Sequence, residues 1–171
     1  MTTEIIYRPA TPEDIDLTYR IKTRSIKPYV RDIYGWDEDF QISFHRKTFN
    51  PANTRILLLK NLMPDMSLPQ AMPERDAIFG YIEVEYRKAE IFLANILIDE
   101  DFQGRGLGMT IMHELIREAE TAGERDKTDG GGGRPLRLEV FRINRRARTF
   151  YERLGFRVTG RDKIKYIMER R

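Results

Sequence analysis

The sequence contains no cysteine. That excludes disulfides, iron–sulfur clusters, thiolate zinc sites and a cysteine nucleophile, and it points to a cytoplasmic protein. Histidine is almost as scarce: His45 and His113 are the only two and lie far apart. His113-Glu114 lacks the second histidine of a metalloprotease helix, so both read as structural or surface residues. No metal site is expected. Serine occurs only as Ser25, Ser43 and Ser67, none within a G-x-S-x-G elbow. No apolar run is long enough to span a bilayer, so no membrane association is expected. The first residues carry Glu4, Glu13, Asp14 and Asp16 without an apolar stretch, so no secretory signal is expected either.

What is present suits one soluble domain over residues 1–171, with 40% hydrophobic and 33% charged residues. The formal net charge of +3 is unevenly spread. Arg134 to Arg171 holds 13 Lys/Arg against 4 Asp/Glu, a net +9, which leaves −6 for the remainder. A basic end suggests an anionic partner such as a phosphorylated cofactor or a nucleic acid; a solvated helix face explains it equally well.

Periodicity and punctuation outline the elements. Glu4 to Tyr7 reads as a strand. Thr11-Pro12-Glu13-Asp14 starts a helix, with Thr11 as N-cap and proline at the first helical position. That helix is expected to end near Ser25, with Pro28 and Gly35 interrupting. A second helix is expected from Asp37, with Phe40 and Phe44 packed on the sheet. Arg55–Lys60, Ala77–Arg87 and Ile91–Ile98 read as strands, the last two forming an antiparallel hairpin around Ala89-Glu90. Asn61 to Asp76 reads as a long connection. A helix starting near Met109 carries Met112, Leu115, Ile116 and Ala119 on one face and ends at Gly123, and Glu124 to Arg134 reads as a glycine-rich loop. Leu136–Arg142 is a strand. Arg145–Leu154 is a helix with Asn144 as N-cap, and Ile164–Met168 is a last strand. The class is α/β or α+β around one mixed central sheet.

Gln103-Gly104-Arg105-Gly106-Leu107-Gly108 stands between the strand ending at Ile98 and the helix that follows. Glycines let the backbone approach a ligand with several N–H groups aligned, and the helix N-terminus adds partial positive charge. Together they make a phosphate cradle. A dinucleotide fingerprint fails, because its third glycine falls at Met109; a nucleotide-triphosphate loop fails for want of Gly-Lys-Ser/Thr.

The glycine turn resembles the Q/R-x-x-G-x-G/A motif of the GNAT-type N-acetyltransferases. Asn144-Arg145-Arg146-Ala147-Arg148-Thr149-Phe150-Tyr151-Glu152-Arg153-Leu154-Gly155-Phe156 resembles their N-x-x-A-x-x-x-Y-x-x-x-G-F segment. The likeness covers Ala77 to Phe156 and weakens before it. It implies acetyl-CoA as co-substrate, a primary amine as acceptor (a small molecule or a protein), and no nucleic-acid partner. It implies that Gln103, Gly104, Arg105, Gly106, Leu107, Gly108 and Met109 hold the CoA pyrophosphate. The strand ending at Ile98 should splay from the one starting at Leu136. Ile96, Leu97 and Ile98 would then bond the pantetheine arm through their backbone, and Asn144 would contact it. A homodimer is left open. Two other readings stand beside this one: a catalytically silent acyl-CoA-binding module of the same fold, and a nucleic-acid binder using the basic C-terminal helix.

Acetyl transfer to an amine has three needs. The amine must lose a proton, from a pKa of about 10.4 for a lysine side chain or about 8 for an α-amine. The developing oxyanion needs donors, and the departing thiolate benefits from a proton. By the resemblance, Tyr151 is the candidate acid; by spacing alone it also fits a core stripe. Glu139 is the candidate base, because a similar Leu-Glu-Val segment precedes the motif asparagine by five residues in ribosomal-protein N-terminal acetyltransferases. A solvent-facing carboxylate is the plainer reading of Glu139. Glu83 and Glu85 compete for the role, as does a chain of waters. The segment Lys27-Pro28-Tyr29-Val30 to Tyr34-Gly35-Trp36 is a candidate wall for the acceptor.

Overall fold

The computed structural model of the protein describes residues 4–60, 77–125 and 133–171. Seven strands, β1 (Glu4–Pro9), β2 (Thr54–Lys60), β3 (Ala77–Tyr86), β4 (Ile91–Ile98), β5 (Leu136–Phe141), β6 (Arg157–Arg161) and β7 (Lys165–Arg170), form one sheet in the order β1-β2-β3-β4-β5-β7-β6. All neighbours are antiparallel except β4 and β5, which run parallel. The helices are α1 (Ile15–Tyr34), α2 (Glu38–Thr48), α3 (Leu107–Arg125) and α4 (Arg145–Arg153).

The helices divide between the two faces because the strands alternate. Ile82, Val84, Ile91, Leu93, Leu136, Leu138 and Val140 point to one face and bury against Ile111, Met112 and Leu115 of α3 and Tyr151 of α4. Tyr81 and Leu97 point the other way and meet Ile21 of α1 over Ile56. Each large side chain so buried is worth about 1.5–3 kcal/mol, which holds α1 and α3 across the sheet from each other.

The entry to α1 is tied down by Asp14. Its carboxylate accepts the Thr11 N–H at 2.8 Å and a two-pronged Arg8 contact at 2.7 and 2.9 Å. The hydrogen bonds from Arg8 hold the Asp14 pKa below its ordinary value. A short 3-10 turn, Pro12–Asp14, precedes the α-helix proper.

Several expectations are corrected. Pro28 does not interrupt α1, which continues to Tyr34. An internal proline costs about 3 kcal/mol or more, and burial of Ile21 and Val30 on either side of it opposes that cost. Phe40 and Phe44 do not pack on the sheet: they are 60% and 46% exposed and stack on each other at 5.9 Å. The inward residue of α2 is His45, buried between Thr18 Oγ1 at 3.0 Å and the Ile15 carbonyl at 3.2 Å. Tyr86, on the same face of β3 as Ile82 and Val84, is half exposed and reaches Glu118 of α3 with its hydroxyl at 2.7 Å. Helix α3 begins at Leu107, two residues early, and continues to Arg125, past the expected end at Gly123. Strand β6 was not anticipated, because its five residues are largely exposed and show no apolar alternation. The expected connection at 61–76 and most of the expected glycine loop lie outside the described residues.

Two irregularities shape the middle of the sheet. Glu83 pairs with Asn95 and Val84 with Leu93, so Ala94 is an extra residue in β4. Such a bulge bends its strand and sharpens its twist. The second is close approach at Gly80: a Cβ there would lie 2.4 Å from the Leu97 carbonyl oxygen. Only glycine lets β3 and β4 lie this near. Gly80→Ala is expected to destabilise the protein by about 1–3 kcal/mol, the range for forced overpacking; a denaturant midpoint equal to that of the unaltered protein would show that β4 is not pinned here.

Candidate active site

The parallel β4–β5 ladder is short. It joins Ile91 to Leu136, Phe92 to Arg137 and Leu93 to Leu138, then stops. The Ala94 bulge follows at once, and from there β4 has no strand partner on its β5 side. Buried N–H and C=O groups need partners, so a strand parted in mid-sheet invites a ligand. A cavity of about 400 Å³ opens along this edge. Ile96, Leu97 and Ile98 line it from β4, Ser25, Ile26 and Tyr29 from α1, and Asn144, Ala147, Phe150 and Tyr151 from α4 and its cap.

One end of the cavity is the glycine turn. Gln103, Gly104, Gly106, Leu107, Gly108 and Met109 all line it. Gly104 and Gly106 have φ of +78° and +80°, and a Cβ at either would meet only open space. The left-handed backbone excludes most other residues there, and the space beside it is where a ligand would lie. Helix α3 starts directly after, with the Met109 and Thr110 N–H groups bonded back to the Gly106 carbonyl at 3.0 and 3.2 Å. The N–H groups of Leu107 and Gly108 open the helix and carry its positive end.

Gln103 has a structural task. Its Nε2 donates to the Ile98 carbonyl at 2.9 Å, and Ser25 Oγ donates to the same oxygen at 3.1 Å. The end of β4 is thus clamped to the turn and to α1. The Ile98 carbonyl is already satisfied, so ligand bonding falls to the remaining main-chain groups of the segment.

Tyr151 is 9% exposed, with Phe150 and Phe156 edge-on at 5.3 and 5.7 Å. Its phenol makes no hydrogen bond to another described residue, and burial raises its pKa well above the ordinary value. The residue lines the cavity, and burial favours its protonated form. Asn144 is an N-cap: its Oδ1 accepts the Ala147 N–H at 3.0 Å, which leaves its amide N–H groups for a ligand.

Two anticipated residues stand apart from the cavity. Arg105 does not line it; its guanidinium lies 5.8 Å from the Phe102 ring. Glu139 is exposed and holds Lys165 Nζ at 2.8 Å. Of the candidate acceptor wall, Tyr29 lines the cavity while Tyr34 is exposed and Trp36 Nε1 donates to Glu38 at 2.7 Å. Sequence reading missed Ile26, Phe102 and the clamp by Ser25. The signal for Ser25, Ile26 and Tyr29 was their i, i+3/i+4 spacing on α1, which puts them on one helix face. Among the described residues no cluster of side chains suits a metal ion.

A model of the acetyltransferase (GNAT) domain family matches residues 72–158, half of the chain. The chain belongs to this family. The ribosomal protein bS18-alanine N-acetyltransferase of Salmonella typhimurium is 37% identical over 91 residues, 53% of this chain and 54% of that protein. The chain therefore spans about half the length of that curated relative. Among solved structures, the PaiA N-acetyltransferase of Thermoplasma acidophilum in complex with coenzyme A superposes with a TM-score of 0.67 at 19% identity, covering 100% of this chain and 99% of that one. The ribosomal-protein-S18-alanine N-acetyltransferase of Escherichia coli gives 0.60 at 20% identity, covering 97% and 92%. At these identities the likeness is one of fold. Among the described residues no helix is long and apolar enough to cross a membrane.

Asn144→Ala should cost about 0.5–2 kcal/mol of stability through loss of the cap, while Asn144→Ser should retain most of it. Thermal unfolding of both variants measures this, and equal stabilities would deny Asn144 its capping role.

Proposed function

We propose that the chain is an acetyl-CoA-dependent N-acetyltransferase, moving the acetyl group from the CoA thioester to a primary amine by direct attack. The observation that carries this is one continuous cavity. It joins two left-handed glycines at a helix N-terminus to an unpaired strand edge and a buried phenol. Each part matches one part of the donor. The glycine turn and the first N–H groups of α3 suit a diphosphate. The free edge of β4 suits the amides of a pantetheine arm, and Asn144 can reach that arm. A backbone N–H in the segment Ile96 to Ile98 supplies the oxyanion donor; the Leu97 carbonyl faces β3, which leaves the Ile96 and Ile98 N–H groups for the gap. Tyr151 donates to the departing sulfur.

The acceptor is a small amine or a protein amine. The Salmonella relative is named for the alanine of a ribosomal protein, which makes a protein N-terminus the first acceptor to try. The reading places the protein in the cytoplasm, without a nucleic-acid partner, and leaves a homodimer open. Arg105 serves as a peripheral phosphate contact at most, since it does not line the cavity.

Two variants test the reading. Tyr151→Phe should lower turnover by roughly 10²–10⁴-fold, the range for loss of a positioned proton donor, with acetyl-CoA affinity retained in calorimetry. Unchanged turnover would make Tyr151 structural. Gly106→Val forces a branched side chain into left-handed backbone at a cost of about 1–3 kcal/mol. It should weaken CoA binding roughly 5–100-fold; unaltered affinity would remove the diphosphate from the glycine turn.

A further inference from the structure

Outside the cavity, beginning one residue before its β4 lining, lies a cluster that the reaction above leaves unused. Strand β4 runs towards the glycine turn, so Ile98 is the turn end of its stretch without a β5 partner, and Asn95 follows the Ala94 bulge at the other end of that stretch. Asn95 shares its face with Leu97, which packs under α1. Its Nδ2 donates to Glu83 Oε2 on β3 at 2.8 Å. Helix α1 supplies Lys22, one turn before the cavity-lining Ser25 and Ile26 and on the same helix face. Lys22 Nζ lies 5.4 Å from the centre of the Phe44 ring of α2 and makes no ion pair within 4 Å among the described residues. Three elements thus bring one carboxylate, one amide and one ammonium to the place where β4 leaves β5.

Resting on the acetyltransferase reading, we propose that Lys22, Glu83 and Asn95 form the acceptor site for a singly charged amine, Glu83 taking the amine's proton and Lys22 denying a second positive charge. A diphosphate seated on the glycine turn directs the thioester along β4 away from Ile98, towards Asn95. An acceptor entering beside α1 then meets Glu83 directly or through one water. Neither Glu83 nor Glu139 lines the cavity, but Glu83 is partly buried and bonded to Asn95, next to the lining Ile96, whereas Glu139 is exposed and paired with Lys165. Burial raises the Glu83 pKa against the lowering by the Asn95 hydrogen bond, and burial lowers that of Lys22. The other groups facing the cluster are Glu85, held by Arg87 at 2.8 Å, the buried Tyr81, and His45 of α2.

The proton balance closes. Glu83 accepts one proton from the ammonium and releases it to water after turnover. The amine nitrogen forms the C–N bond as the C–S bond breaks. The second nitrogen proton reaches the sulfur through Tyr151, giving the amide and CoA thiol. Lys22 beside Glu83 repels a polyamine, whose second ammonium would have to lie near it, and tolerates an amine with a neutral or anionic neighbour.

Amines of similar size and different basicity test this in the full chain with acetyl-CoA. Glu83→Gln should lower turnover of ethylamine roughly 10²-fold or more. It should leave trifluoroethylamine, already neutral at pH 7, within about tenfold of the unaltered protein, with CoA affinity unchanged. Lys22→Met should raise kcat/KM for spermidine relative to ethylamine by about tenfold, the scale of one like-charge contact. Equal losses for both amines in Glu83→Gln, or an unchanged spermidine preference in Lys22→Met, would overturn the proposal. Failure of the unaltered protein to bind CoA in calorimetry would instead overturn the acetyltransferase reading on which it rests.

Discussion

The parting of β4 from β5 is the constraint on which the rest depends. A sheet strand left without a neighbour in mid-sheet exposes main-chain donors and acceptors that water or a ligand must satisfy. The chain produces this vacancy with one extra residue, Ala94, placed just after the last β4–β5 pair. Everything around the gap keeps it open and in position. Gly80 lets β3 press against β4 at Leu97, and Ser25 with Gln103 clamps the Ile98 carbonyl. Helix α4 closes the far side with Tyr151 and Phe150.

The two faces of the sheet carry different duties. The α3–α4 face holds the larger apolar core, and its helix N-termini point at the cavity. Tyr151 belongs to both: its ring packs in the core against Phe150 and Phe156, and the residue also lines the cavity. That is why the core and the catalytic reading of this residue are not rivals. The α1–α2 face is more polar near the gap, where Lys22, Glu83 and Asn95 meet. A donor held on one side of the sheet and an acceptor approaching from the other would meet where the two strands separate.

The glycine turn, the Asn144 cap, the strand Ile91–Ile98 and its parting from the strand that starts at Leu136 were all legible beforehand, since each is local or follows from the family's motifs. The rest was not legible for identifiable reasons. Pro28 reads as a helix end because its local cost is large, yet packing of Ile21 and Val30 carries α1 through it. Phe40 and Phe44 read as core because they are apolar and four apart, yet α2 turns His45 inward, where it has both hydrogen-bonding partners and aromatic neighbours. Strand β6 has no apolar pattern, because an edge strand of exposed residues needs none.

What the sequence by itself determined is the glycine turn and its helix. Glycine spacing and an N-terminal dipole act within a few residues and need no distant partner. Which carboxylate is partly buried and which is exposed was decided only by the tertiary structure. Glu139 and Glu83 are both glutamates on alternating strands, and no local pattern separates them. Their environments differ because Glu83 is partly buried, bonded to Asn95 and within the field of Lys22, while Glu139 is left to Lys165 and solvent; burial depends on which element crosses above.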